Sequence, residues 1–370
     1  MQDTSDQNTD DAENAGDPVA PRRRRWRKIV ITFVVLAITV PLLGIGGYTL
    51  LLNRQIDNVD KIPAMADPNR PDPDNGKALN VLLLGSDKGQ GDGKSKNTTM
   101  AEDARAPKWP AGKYRSDTIM VVNISADRQS VFVSSIPRDT FTTIYDAKGK
   151  PHGKQKINAA MSLYGPAGAV STVEHLTGLR MEHLAVLDWD GFKELSTAVG
   201  GVPVHIAEDS YDSIRDVRWK AGDYNLKGER ALLYVRQRYG LLGGDFDRIA
   251  RQQNFLRSLM KKVLSQSMTE DPVQFFETVK VLTKNLTVDA EWSGSDIRGL
   301  AKSLDGLQTK DVRFIIAPVA GTETIPVYGS IVRLDDRRAA ELFRAVRKGY
   351  VSAYLDKYPE YGLKGAKAIG

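Results

Sequence analysis

Between Ile29 and Leu52 the chain runs for 24 residues without a charged side chain. As a helix rising ~1.5 Å per residue this is about 36 Å long, enough to cross a bilayer core with some tilt. Pro41 and the glycines Gly44, Gly46 and Gly47 would break a soluble helix but are tolerated in a spanning one. The run is longer than the apolar stretch of a secretory signal and starts 28 residues in, which argues for a retained anchor. Arg22–Arg25, Arg27 and Lys28 abut its start, whereas Arg54 and Lys61 are sparse beyond it. The positive-inside rule then keeps the N-terminus cytoplasmic and places everything after Asn53 outside the cell, as a single-pass membrane protein.

The charge balance sharpens this reading. Six acids and no base occupy residues 1–20, and the six bases before the span cancel them, so the external part carries the whole net charge of +6. A basic domain outside the cell does not meet chromosomal DNA, so nucleic acid is excluded as a partner. Phospholipid, anionic wall polymers and lipid-linked phosphates are the candidates. There is no cysteine, which excludes disulfides, thiolate nucleophiles and iron–sulfur clusters. The four histidines lack metal-site spacing.

Five regions follow. Residues 1–28 read as a cytoplasmic disordered tail, 29–52 as the transmembrane helix, and 53–77, with Pro63, Pro68, Pro71 and Pro73, as an extended extracellular stalk. Residues 78–265 read as the main globular domain, and 266–370 as a C-terminal α/β portion packed on it. Ala78–Gly85 is a continuous apolar run of buried-strand length. Asp117–Ser125 and Ser130–Ile136 are β-branched runs that predict a hairpin. The intervening stretch 88–114 reads as a long surface loop. Helical periodicity follows over Asn158–Thr177, Gly191–Val199, Leu226–Arg236, Phe246–Leu264 and Val273–Leu286. Strands are predicted at His183–Leu187, Val202–Ile206 and Val312–Ile316, and a helix after the N-cap Asp335. Strands alternating with helices predict a layered α/β/α fold around a central mixed sheet, preceded by one transmembrane helix.

Gly85–Ser95 ends in Gly-Lys-Ser, but Lys88 stands where a phosphate-binding P-loop needs glycine, and no amphipathic helix follows. The informative pattern is charge at strand ends, where ligands of open α/β sheets bind. Asp87 lies two residues past the first strand, Arg115 and Asp117 open the next, and Arg138 follows the third. Two aspartates so placed can share a hard divalent cation such as Mg²⁺; each could equally cap a turn. Arg236 and Arg238 end one helix, and Arg248 and Arg251 lie a turn apart on the next, with Gln253 beside them. Arginine grips phosphate oxygens in a planar fork, although an exposed basic face has the same signature. Lys156 sits where loop becomes helix, near amides that attract anions or are capped by Asn158.

These segments together resemble the LytR–CpsA–Psr family of cell-envelope proteins. The resemblance rests on NVLLLGSD (80–87), RSDTIMVV (115–122), SIPRDT (135–140), KINAA (156–160), DGFKELSTAVGGVPV (190–204), LKGERALLYVRQR (226–238) and DFDRIARQQ (245–253), in that order, after a short tail and single span. It covers about 78–265; the stretch between Asp87 and Arg115 is longer than the family pattern. It implies an extracytoplasmic phosphotransferase that moves an anionic glycopolymer from a polyprenyl-pyrophosphate carrier onto peptidoglycan through a phosphodiester. Asp87 and Asp117 would match the family's Mg²⁺-associated acids, and Arg138, Arg236, Arg238 and Arg248 its pyrophosphate-binding arginines. Arg115, Lys156, Arg251 and Gln253 would surround the pyrophosphate. A pyrophosphate hydrolase built from the same parts, or a non-catalytic binder of anionic envelope polymers, are the alternatives. The prenyl tail calls for an apolar trough between sheet and helices.

Overall fold

The computed structural model describes residues 47–73, 77–88, 98–265 and 271–369. The chain divides into two compact units, Met1–Leu51 and Leu52–Gly370. Of the first, residues 47–51 are described and are helical. The expected tail (1–28) and most of the expected span (29–52) thus lie outside the described residues. Among the described residues no helix is long and apolar enough to cross a membrane.

The second unit begins with helical residues 52–57 (α1). Its centre is a mixed sheet of seven strands: β1 (Asp60–Ile62), β2 (Leu79–Lys88), β3 (Tyr114–Ile124), β4 (Val131–Ser135), β7 (His183–Asp188), β12 (Leu286–Asp289) and β13 (Val312–Ile316). They lie in the order β1-β12-β7-β2-β3-β4-β13. The β2–β3–β4 meander is antiparallel, while β7 and β13 run parallel to β2 and β4. Four two-stranded ribbons surround the sheet: β5 (Phe141–Tyr145) with β6 (Pro151–Lys156), β8 (Val202–Ile206) with β11 (Gly222–Leu226), β9 (Ser210–Asp212) with β10 (Val217–Trp219), and β14 (Val319–Ile325) with β15 (Gly329–Leu334).

Side chains alternate across a strand, and β2 shows why its sequence is apolar without interruption. Leu82 and Leu84 join the core cluster that holds Val173 and Leu342, whereas Val81 and Leu83 pack with Leu300 on the opposite face. Both faces are covered. On the first face lie α3 (Asn158–Thr177), α9 (Asp336–Lys348) and α10 (Val351–Lys357), with the short α2 (Met100–Arg105) at one side. On the second lie α4 (Trp189–Ala198), α5 (Gly228–Arg236), α6 (Asp245–Ser265), α7 (Pro272–Asn285) and α8 (Gly294–Ser303). The layered α/β/α architecture and mixed sheet agree with the sequence reading.

Three boundaries differ from it. Residues 57–73 are not a free stalk: β1 adds a strand to the sheet edge, parallel to β12. Beyond it Ser171 donates to buried Asp67, and Arg70 forms a buried ion pair with Glu174 at 2.9 Å. The prolines extend this strap, but the residues between them anchor it. The stretch 88–114 is not loop throughout: α2 is closed by a capping box between Thr99 and Glu102. The indole of Trp109 and the amide of Gly112 both donate to the Ser162 carbonyl of α3. That carbonyl needs them, because Pro166, four residues on, has no N–H to offer. Finally, β12 and β13 belong to the central sheet, so 266–370 completes one core with 78–265.

Candidate active site

Strand β2 ends at the site, and a bulge aims its neighbour. Gly85 pairs with Thr118 and Ser86 with Ser116, so Asp117 is the extra residue on β3. Such a bulge redirects one side chain. It also demands close approach: a Cβ on Gly85 would stand 2.9 Å from that of Thr118. Asp87 and Arg115 are direct partners one step further along.

These ends open into a cleft of about 560 Å³. Its walls carry seven cations, Arg115, Arg138, Lys156, Arg215, Arg236, Arg238 and Arg248, against the carboxylates of Asp87, Asp117 and Asp139. Eight of the ten residues predicted from sequence therefore meet in one cavity. Arg138, just past β4, donates to Asp117 and lies 3.9 Å from Asp245. Arg248, 4% exposed, contacts Asp245 at 2.8 Å. Arg236, at the end of α5, meets Asp87 at 3.2 Å and lies over the Trp189 ring. Lys156 pairs with Asp139 at 3.2 Å, and Arg238 donates to the Tyr239 hydroxyl at 2.6 Å.

The electrostatics favour an anion. Burial, reinforced by the Arg138 charge, lowers Arg248 to about 10, so it stays cationic at neutral pH. Burial also opposes the charge of Arg138, but Asp117, Asp245 and Asp139 outweigh it and raise its pKa. Nε of Arg248 is buried without a hydrogen-bond partner among the described residues, and buried Nε of Arg138 makes no hydrogen bond, its ion-pair contacts to Asp139 and Asp245 being 3.8 and 3.9 Å long. Buried donors left unpaired cost about 1–3 kcal/mol each, and phosphate oxygens are the acceptors that match their geometry. The α3 end adds to this: its N-cap Ile157 supplies no side-chain cap, and Asn158 lines the cleft instead of capping.

Mg²⁺ takes one or two carboxylates and completes its shell with water and phosphate. Asp87 and Asp117 fit that donor set. Burial and the Asp117 charge together hold the Asp87 carboxyl above its usual range, although Arg236 opposes them. Among the described residues no cluster of three or more potential ligands exists.

Beside the cleft, and sharing Trp189 and Gln252 with it, is a narrow apolar slot of about 90 Å³ between the β2–β3–β7 face and helices α4, α5 and α6. Leu83, Met120, Phe192, Phe255 and Leu259 line it. It lies where a trough between sheet and helices was expected, and must widen to take a prenyl chain.

Two predicted residues are elsewhere. Arg251 is fully buried, donates to Gln237 and Ser210, and lies over Tyr234. Gln253 is also buried and donates to Ser135 and the Ile315 carbonyl, tying α6 to β4 and β13. On a helix, residues four apart share a face; Arg248 and Gln252 are the pair that face the cleft. The sequence reading passed over Arg215, Trp189, Tyr239 and Gln252. Trp189 follows β7 directly, so the strand-end rule would have found it; Arg215 sits on a ribbon without such a signal.

The architecture is thus a mixed sheet with a cationic cleft at its strand ends, opening beside an apolar slot. The model of the LytR_cpsA_psr family matches residues 51–346, and the chain belongs to that family. The match takes in the strap and most of the C-terminal portion, beyond the 78–265 expected. The chain is 31% identical over 294 residues to the cell wall biosynthesis protein LcpA of Corynebacterium glutamicum, covering 72% of this chain and 55% of LcpA. It thus spans little more than half of that relative. It is 30% identical to the probable cell wall biosynthesis protein LcpB of the same organism, over 81% of this chain and 67% of LcpB. Among solved structures, TagV of B. subtilis is similar at 26% identity with a TM-score of 0.56, over 76% of this chain and 98% of TagV.

Proposed function

We infer that this chain is a membrane-anchored, extracytoplasmic transferase that moves a glycopolymer phosphate from a polyprenyl-pyrophosphate carrier to a hydroxyl of peptidoglycan. The observation that carries this reading is the cleft itself: seven cations around three carboxylates, with buried unpaired guanidinium N–H groups, next to an apolar slot. The family membership and the cell-wall roles in the names of LcpA and LcpB support it.

Phosphoryl transfer is mainly positioning and charge stabilisation. Arg138 and Arg248 hold the diphosphate from the sheet side, and Arg236 and Arg238 from the α5 end. The acceptor hydroxyl attacks the glycan-side phosphorus, its proton passes to a carboxylate of the cleft, and the bond to the lipid phosphate breaks. Polyprenyl phosphate leaves with an added negative charge, which the arginines stabilise. Asp87 and Asp117 would hold Mg²⁺, which when bound neutralises phosphate oxygens. The anchor keeps the enzyme at the depth of its lipid-linked donor and raises its effective concentration.

The test supplies the full chain with lipid-linked donor, Mg²⁺ and peptidoglycan. Wall-linked phosphodiester and free polyprenyl phosphate should form together. Lipid phosphate released at the same rate without acceptor would instead identify a hydrolase, and binding without turnover a polymer binder.

A further inference from the structure

A second groove, of about 470 Å³, backs onto the first. The β5–β6 ribbon is their common wall: Gln155 and Lys156 on β6 line the cleft, while their register partners Thr142 and Phe141 on β5 line the groove. Paired strands lie ~4.8 Å apart, so one strand's width separates the cavities. Asp139 and Thr140, adjacent in the chain, face one each.

The groove is cationic. Lys154, Arg333, Arg344 and Arg347 line it against one acid, Asp336. Arg333 is paired with Glu323, and among the described residues Arg347 reaches only the Gly178 carbonyl, at 3.4 Å. The side chains of Lys154 and Arg344 have no hydrogen-bond or ion-pair partner among the described residues. Thr140, 1% exposed, lines the groove with a hydroxyl that likewise has no hydrogen-bond partner among them. Phe141, with the Arg333 guanidinium over its ring, gives the wall an aromatic face.

We propose that this groove is a second substrate site, which binds an acidic segment of a glycan strand. The inference rests on the transferase reading, in which such a strand must extend from the diphosphate in the cleft or approach it. The two cavities differ in how they hold charge. Arg248 is buried and grips one compact anion, whereas Lys154 and Arg344 are exposed around an open trough, an arrangement for charges that recur along a chain. The aromatic face and the hydroxyls of Thr140 and Thr142 suit sugar rings. Phosphates of the donor polymer and carboxylates of the acceptor's peptides share this chemistry, and the probes below separate them.

The full chain in detergent is titrated by fluorescence anisotropy with three probes: a labelled poly(glycerol phosphate) oligomer, a labelled muropeptide oligomer, and labelled polyprenyl pyrophosphate without glycan. The double reversal Lys154→Glu/Arg344→Glu should weaken at least one acidic glycan by about tenfold or more, from the loss of attraction plus added repulsion. The probe that loses affinity identifies the strand. Polyprenyl pyrophosphate should bind as before, and Lys302→Glu, a charge reversal on α8, should leave all three unchanged. If the double reversal fails to fold, Lys154→Gln/Arg344→Gln should weaken the same probe by about threefold. Equal affinities of variant and parent for both glycans, or no glycan binding by the parent, would overturn the groove assignment. Failure of the parent to bind polyprenyl pyrophosphate would instead undo the transferase reading.

Discussion

Asp87 and Arg236 are 149 positions apart in the chain, yet their side chains meet at 3.2 Å, one at the end of β2 and the other at the end of α5. This contact joins the sheet to the helical layer at the mouth of the cleft. It also sets up a competition, because a divalent cation and Arg236 would both seek the Asp87 carboxylate.

That competition gives a pH signature. Burial first, and the Asp117 charge second, raise the Asp87 pKa, so its ionised form is complete only above the usual carboxylate range. The acid limb of the activity profile should therefore lie above pH ~4, and Asp117→Asn should move it to lower pH by removing the like charge. Asp87 should favour folding most at low pH, with that contribution fading as pH rises through its raised pKa. Asp87→Asn and Asp117→Asn should each lower activity and raise the Mg²⁺ concentration needed for it. Rate measurements across pH at two Mg²⁺ levels check this; unchanged metal dependence in both variants would exclude the pair as ligands.

Arg138 and Arg251 should separate cleanly. Arg138→Ala removes a cleft donor and should cut turnover by about 10²–10³, while the fold persists. Arg251 is walled in by Tyr234, Gln237 and Ser210, so Arg251→Ala should cost about 2 kcal/mol or more of stability and leave KM for the lipid donor close to normal. Denaturant melts beside steady-state kinetics distinguish the two.

The contrast shows what could be read from sequence. Strand-end charges identified Asp87, Asp117 and Arg138 because strand termini converge whatever the loops do. Arg251 and Gln253 misled because the rotation of α6 is set by Leu256 and Leu259 packing on sheet and slot, which no local pattern around 248–253 reveals. The strap was hidden for another reason: proline-rich composition reports extension, whereas Asp67 and Arg70 find their partners more than 100 residues away. In the β5–β6 ribbon, which walls both cavities, β5 (FTTIY) carries a β-branched and aromatic strand signal that the sequence reading passed over, whereas the polar β6 (PHGKQK) carries none.

Gly85→Ala should disturb the bulge that presents Asp117. The added methyl meets Thr118 at 2.9 Å, and overpacking of this kind costs about 1–3 kcal/mol. A lowered melting temperature with a larger fall in activity is expected; thermal melts beside kinetics check it, and an unchanged melting temperature would show that the bulge absorbs the methyl.

Strap removal should be costly. Glu174 is fully buried and accepts from Arg70 and from the Met181 amide. Arg70→Ala leaves that carboxylate unpaired, for a loss of about 3–5 kcal/mol. A chain that starts at residue 78 should accordingly melt well below one that starts at residue 57, by differential scanning calorimetry.

The most direct measurement is a crystal structure of the unit Leu52–Gly370 soaked with polyprenyl pyrophosphate. Two phosphorus peaks should lie between Arg138, Arg248 and Arg236, with the first isoprene units entering the parted slot beside Trp189. Phosphates bound on another face, or a lipid chain directed away from Phe192 and Phe255, would contradict the assignment of this cleft.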